Sequence, residues 1–185
     1  MSSGGIRPLQ GEVLSPAKRP MKFFPLDHLR RLRGSAQVAA VCYRVRKRGI
    51  EFLLVETRKG RWTFPKGSAE PGLTHAQAAA LEAYEEAGVH GRMEETAFAQ
   101  YVRRKRAGEV EIVVNLHLCE VLWLDPPEEE GRNPTWFPAE KAKRKLCAGR
   151  NREHSGELQR GLERAVRRIG NRLGPNWKGN LTTQI

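Results

Sequence analysis

The stretch GSAEPGLTHAQAAALEAYEEAGV, residues 67–89, constrains this chain more than any other. Its second half carries a complete set of helix signals. Thr74 is a good N-cap, and Gln77 three residues on completes a capping box, in which each side chain satisfies the other's free backbone N–H. Six alanines between 76 and 87 give high helix propensity. Gly88 suits the left-handed position just past the last turn. The sequence therefore predicts a helix over 75–87. Glu82, Glu85 and Glu86 stand at i, i+3 and i+4, so all three lie near one face. Like charges at that spacing repel by roughly a few tenths of a kcal/mol per pair, and the helix has no Lys or Arg to offset them. Such a face is either solvated, paired with cations from elsewhere, or built for a hard cation such as Mg²⁺, which takes oxygen ligands.

The residues before the helix favour the last reading. RWTFPKG (61–67) reads as a short strand that meets Pro65, Lys66 and Gly67. Gly67 permits a tight turn and could offer a carbonyl to a metal. Lys66 projects at the same place, where it could hold a phosphate. Arg58 and Arg61 flank the strand and join Lys66 as candidate phosphate ligands; the RRKR run at 103–106 reads equally well as a solvated turn. A cation site and a lysine placed together fit phosphoanhydride chemistry.

The rest of the chain supplies a scaffold. At 185 residues it is long enough for one domain with its own core. Residues 36–46 and 50–58 read as a hairpin, and 97–106 with 109–124 as a longer one turning near Ala107-Gly108. TWFP (135–138) leads to a helix over 139–147. A last helix starts near Ser155, where Leu158, Leu162, Ala165, Val166, Ile169 and Leu173 form one apolar stripe opposite five arginines. Strands in the middle with helices around them imply an α/β or α+β layered fold with a mixed sheet.

The net charge of +12 is unevenly spread. Residues 1–35 carry 7 Lys/Arg against 2 Asp/Glu, residues 36–140 carry 14 against 16, and residues 141–185 carry 12 against 3. The division is a basic N-terminal arm (1–35), a near-neutral core (36–150) and a basic C-terminal helix and tail (151–185). Basic flanks suit polyanions such as RNA or phosphorylated small molecules, or serve solubility alone. Cys42, Cys119 and Cys147 form no CxxC pair, which argues against a zinc knuckle or disulfide framework. With no secretory h-region and no apolar run of membrane-spanning length, a cytoplasmic location is expected.

On these residues the chain resembles the Nudix hydrolase family. The family's box reads G-x5-E-x7-R-E-U-x-E-E-x-G-U, where U is a bulky apolar residue. Gly67, Glu82, Glu85, Glu86, Gly88 and Val89 fall at its spacing, and Ala83 fills the first U. RWTFPKG is similar to the strand that precedes the box in members acting on dinucleoside polyphosphates and diphosphoinositol polyphosphates. The resemblance implies an α/β/α sandwich around a mixed sheet. It implies that Glu82, Glu85 and Glu86, with the Gly67 carbonyl, hold Mg²⁺ or Mn²⁺. It also implies hydrolysis of a nucleoside diphosphate-linked substrate, a dinucleoside polyphosphate first among them. The general base is either a box glutamate or one from a distant loop, with Glu120 and Glu128–Glu130 as candidates. Two positions depart from the pattern: Leu73 replaces the first Glu of the box, and Leu81 replaces its Arg. Because this removes a complementary charged pair, the two leucines are expected to brace the loop as an apolar contact. The other reading is a Nudix-fold module that binds nucleotide or RNA with little turnover.

Overall fold

The computed structural model describes residues 36–105 and 110–174. The N-terminal arm, the turn at Ala107-Gly108 and the C-terminal tail lie outside the described residues. Eight strands and three helices follow in order: β1 (Ala36–Arg46), β2 (Gly49–Glu56), β3 (Trp62–Thr63), β4 (Lys66–Ser68), α1 (His75–Ala87), β5 (Val89–Met93), β6 (Ala99–Lys105), β7 (Val110–Leu124), β8 (Thr135–Pro138), α2 (Ala139–Cys147) and α3 (Arg152–Leu173). The sheet is mixed: β1 and β7 pair in parallel, and every other pairing is antiparallel.

The period of two along β1 divides the core into two layers. Val38, Ala40 and Cys42 face α1, where they meet Ala78, Ala79, Ala83 and Ala87. Ala39, Val41 and Tyr43 face the other way, in one cluster with Leu146 of α2 and Leu158, Leu162 and Ile169 of α3. Helices on both faces of a mixed sheet make the α/β/α sandwich. The stripe of α3 lies inside this core, except that Leu173 is exposed. Small alanines on α1 let that helix approach closely enough to bring its acidic face against β4.

Several elements differ from the sequence reading. RWTFPKG is two strands, because the chain breaks at Phe64-Pro65 and changes partner from β2 to β1. β2 stops at Glu56, since Thr57–Arg61 close a tight turn: the Gly60 N–H donates to the Thr57 carbonyl at 2.8 Å. TWFP is itself a strand paired with β2. α3 starts at Arg152, capped by Asn151, whose side chain accepts from the His154 N–H.

Candidate active site

The capping box of α1 forms as read: the Thr74 side chain accepts from Gln77 N–H at 3.2 Å, and Gln77 Oε1 accepts from Thr74 N–H at 2.9 Å. Gly88 ends the helix in the left-handed region at φ 65°. These local devices fix the rotation of the helix and so the direction of its glutamates.

Glu86 is 2% exposed, and both of its carboxylate oxygens are held. The Lys66 backbone N–H donates to Oε2 at 3.1 Å, and Arg132 Nη2 lies 2.8 Å from Oε1. Burial still raises the Glu86 carboxyl above its usual range, with Arg132 and Lys66 pulling the other way. Glu82 lies against Gly67 so closely that a Cβ there would stand 1.6 Å from its Oε1. Burial, then the charges of Glu86, Glu85 and Glu129, raise the Glu82 carboxyl from 4.5 to about 7. Burial, then Glu128 and Glu129, raise Glu85. The cluster is thus a crowd of acids with more negative charge than its partners balance. Among the described residues, no three His, Cys, Asp or Glu side chains converge as a finished metal cage.

Beside the cluster opens a cleft of about 450 Å³. Among the described residues it is lined by six cationic side chains, Arg58, Lys59, Arg61, Lys66, Arg103 and Arg150, and by one carboxylate, Glu153. The Thr57–Arg61 turn presents three of the cations. Lys66 joins cleft to cluster, its N–H on Glu86 and its side chain on the cleft wall. Burial lowers the Lys66 amine, while Glu86 and Glu82 oppose that shift. His154, on the first turn of α3, also lines the cleft. Burial and the cations around it lower His154 to about 4, so it is neutral at pH 7.

A NUDIX domain model matches residues 35–155. The chain belongs to the Nudix family. Diphosphoinositol polyphosphate phosphohydrolase 3-beta of Homo sapiens is 36% identical over 110 residues, covering 57% of this chain and 65% of that protein. The 3-alpha protein of Mus musculus matches to the same extent. The chain therefore spans 65% of the length of these curated relatives. Among solved structures, a Nudix hydrolase from Nitrosomonas europaea has a TM-score of 0.56 at 22% identity, covering 70% of this chain and 86% of that one. The C. elegans Ap4A hydrolase has a TM-score of 0.55 at 24% identity, covering 74% and 98%. At these identities the likeness establishes the fold.

Within the Nudix box, the two departures lie at the surface. Leu73 and Leu81 are 40% and 39% exposed and belong to neither core cluster. Helix rotation that turns Glu82 and Glu86 inward leaves position 81 toward solvent. Trp62, Tyr84 and Trp136, the aromatic side chains that could stack a base, are engaged elsewhere. Trp62 meets Phe137 edge-on at 4.9 Å, Tyr84 meets His90 edge-on at 5.3 Å, and Trp136 carries the Arg44 guanidinium at 4.1 Å.

Of the distant acids, Glu129 is brought to the Nudix box: its N–H donates to the Glu85 carbonyl at 2.9 Å, and its carboxylate holds Arg132. Glu120 instead lies 3.6 Å from Arg92, its partner across the β5–β7 pairing. Arg132, Arg150 and His154 escape sequence reasoning, because each arrives from a segment remote from the box. One signal for Arg132 was present: it is the only Lys or Arg between 107 and 140.

Proposed function

We propose that this Nudix protein is a divalent-metal-dependent hydrolase that cleaves a phosphoanhydride bond in a polyphosphorylated substrate. The observation that carries this reading is the junction at Lys66, where a crowded carboxylate cluster abuts a cleft with six cations and one acid. The cluster fits a hard cation such as Mg²⁺ or Mn²⁺. Its donors are oxygens, and the position facing Glu82 is kept open by a glycine. Its carboxyls are raised by burial first and by the charge of neighbouring acids second, and a bound cation would favour their ionised form.

Glu82, Glu85 and Glu86, with the Gly67 carbonyl, are the residues that would hold the metal. When bound, the metal supplies Lewis-acid charge at the phosphate oxygens and acidifies water. Arg58, Arg61 and Lys66 take the phosphates on either side of the scissile bridge, positioning the chain for in-line attack. Glu129 stands as the distant-loop candidate for general base.

Dinucleoside polyphosphates such as diadenosine tetraphosphate are the first substrate class, since a cationic cleft of this size suits a run of phosphates. Diphosphoinositol polyphosphates are the second. Two observations support that class: the names of the curated relatives, and a cleft with no Phe, Tyr or Trp among its described lining residues. An RNA-binding role draws no comparable support. Of the arginines on the outer face of α3, Arg168 and Arg172 pair with Glu94, and Arg160 with Glu157.

The test is release of phosphate or mononucleotide from a panel of both classes and nucleoside triphosphates, with Mg²⁺ or Mn²⁺. Metal-dependent release from a polyphosphorylated substrate supports the reading. Salt-sensitive RNA binding without turnover on any member sinks it.

A further inference from the structure

The Nudix box of this chain lacks its arginine, and the leucine that replaces it is directed to solvent. A guanidinium nevertheless reaches the acids. Arg132 Nη2 lies 2.8 Å from Glu86 Oε1 and 2.5 Å from Glu129 Oε2, and Arg132 Nε donates to the same Glu129 oxygen at 2.6 Å. The Arg132 and Glu86 side chains are 19% and 3% exposed, so water screens this pair little.

We propose that Arg132, supplied by the loop between β7 and β8, fixes the Glu86 carboxylate for metal binding. The inference rests on the reading that these glutamates hold a divalent cation.

Three features show that the loop is built for this. It leaves β7 against Gly88, where Asp125 N–H donates to the Gly88 carbonyl at 2.8 Å and any Cβ would meet the Asp125 carbonyl oxygen at 1.8 Å. It is tied to the end of α1 by the Glu129 N–H bond to Glu85. It is tied to β2 at Arg132 itself, whose carbonyl accepts from Glu56 N–H at 2.6 Å, while Asn133 Nδ2 donates to Glu56 Oε2 at 3.0 Å. Backbone bonds therefore fix the Arg132 main chain as well as its tip.

The division of labour at Glu86 is then complete. One oxygen takes the Lys66 N–H from β4, and the other takes the guanidinium from the loop. A planar fork suits the task better than an ammonium, because it can bridge Glu86 and Glu129 at once. Arg132 is a positioning residue on this account, acting through Glu86. Groups that orient metal ligands commonly change metal affinity by about 10- to 100-fold when removed.

The test titrates the full-length chain with Mn²⁺ alone and reads affinity by calorimetry, with no substrate present. R132M keeps the stem and removes the fork; it should bind Mn²⁺ at least about tenfold more weakly than wild type. R132K should fall between the two. Circular dichroism of R132M checks that the weaker binding occurs in a folded protein, which a purely structural role for Arg132 would not produce. Mn²⁺ binding by R132M as tight as wild type, or tighter, overturns the proposal. If R132M does not fold, R132K decides, and wild-type affinity there overturns it. If wild type itself binds no Mn²⁺, the metal reading of the site fails, and this inference goes with it.

Discussion

Replacing Gly67 by alanine tests how the Nudix box positions Glu82. The new Cβ would stand 1.6 Å from Glu82 Oε1 and 2.0 Å from its Cδ. Non-bonded atoms settle at roughly 3.5 Å, so the carboxylate must retreat by about 1.5–2 Å. The backbone at Gly67 is not in the left-handed region, so alanine itself is tolerated there. The obstruction is the end of a flexible side chain, and moving it to another rotamer costs about 1 kcal/mol. The fold should therefore survive, with a melting temperature lowered by only a few degrees, roughly 2–5 °C. Catalysis should not survive as well: a misplacement of about 1 Å at a reacting constellation can cost about 100-fold in rate. Initial rates at saturating Mg²⁺, measured beside thermal melts, separate the two effects. A rate within threefold of wild type (about 0.65 kcal/mol in the barrier) would refute the reasoning. So would a variant that fails to fold, since that would place the contact in the core and not at the carboxylate.

Two further outcomes follow from the same contacts. The Glu82 carboxyl is raised from 4.5 to about 7, chiefly by burial. Its contribution to stability is therefore fully present below about pH 4.5 and lost as pH rises through about 7. In EDTA the melting temperature should fall between these limits, and Glu82→Gln should flatten that limb by on the order of 1–2 kcal/mol after allowance for solvent screening. Added Mn²⁺ should restore wild type at pH 8; an unchanged pH profile in the variant would contradict the assignment. Arg150 donates to the Leu146 and Trp62 carbonyls, each at 2.6 Å, while lining the cleft. Arg150→Ala should lower stability by about 1–3 kcal/mol for the orphaned carbonyls and raise KM for polyphosphates more than it lowers kcat. A denaturant melt and steady-state kinetics read both, and a change in kcat alone would count against phosphate contact.

What was legible in the sequence is what local chemistry decides. Thr74, Gln77 and Gly88 set both ends of α1, because caps depend on neighbours within four residues. The two faces of β1 were not legible, because Val38–Tyr43 is apolar throughout; the fold sends Val38, Ala40 and Cys42 to one layer and Ala39, Val41 and Tyr43 to the other. The break at Phe64-Pro65 was less legible: it depends on which strand offers free hydrogen-bonding groups, and β1 does so for β4. The acidic run at 128–130 was legible only as a set of general-base candidates, of which Glu130 is exposed. Nothing within that run reveals that Glu129 and Arg132 fold back onto α1. A lone arginine, Arg132, in the otherwise acidic stretch 107–140 was the one clue. Cys42 and Cys119 lie within apolar runs of the sequence, and both are buried, facing one another across β1 and β7.

The central claim is that the Nudix glutamates carry metal-dependent phosphoanhydride hydrolysis. The most direct measurement compares turnover of diadenosine tetraphosphate and a diphosphoinositol polyphosphate by wild type and Glu86→Gln, with and without Mg²⁺, using samples whose folding is checked by circular dichroism. The account predicts turnover that requires the metal and falls by at least about 100-fold in the folded variant. Turnover that persists in EDTA, or that Glu86→Gln leaves intact, would contradict it.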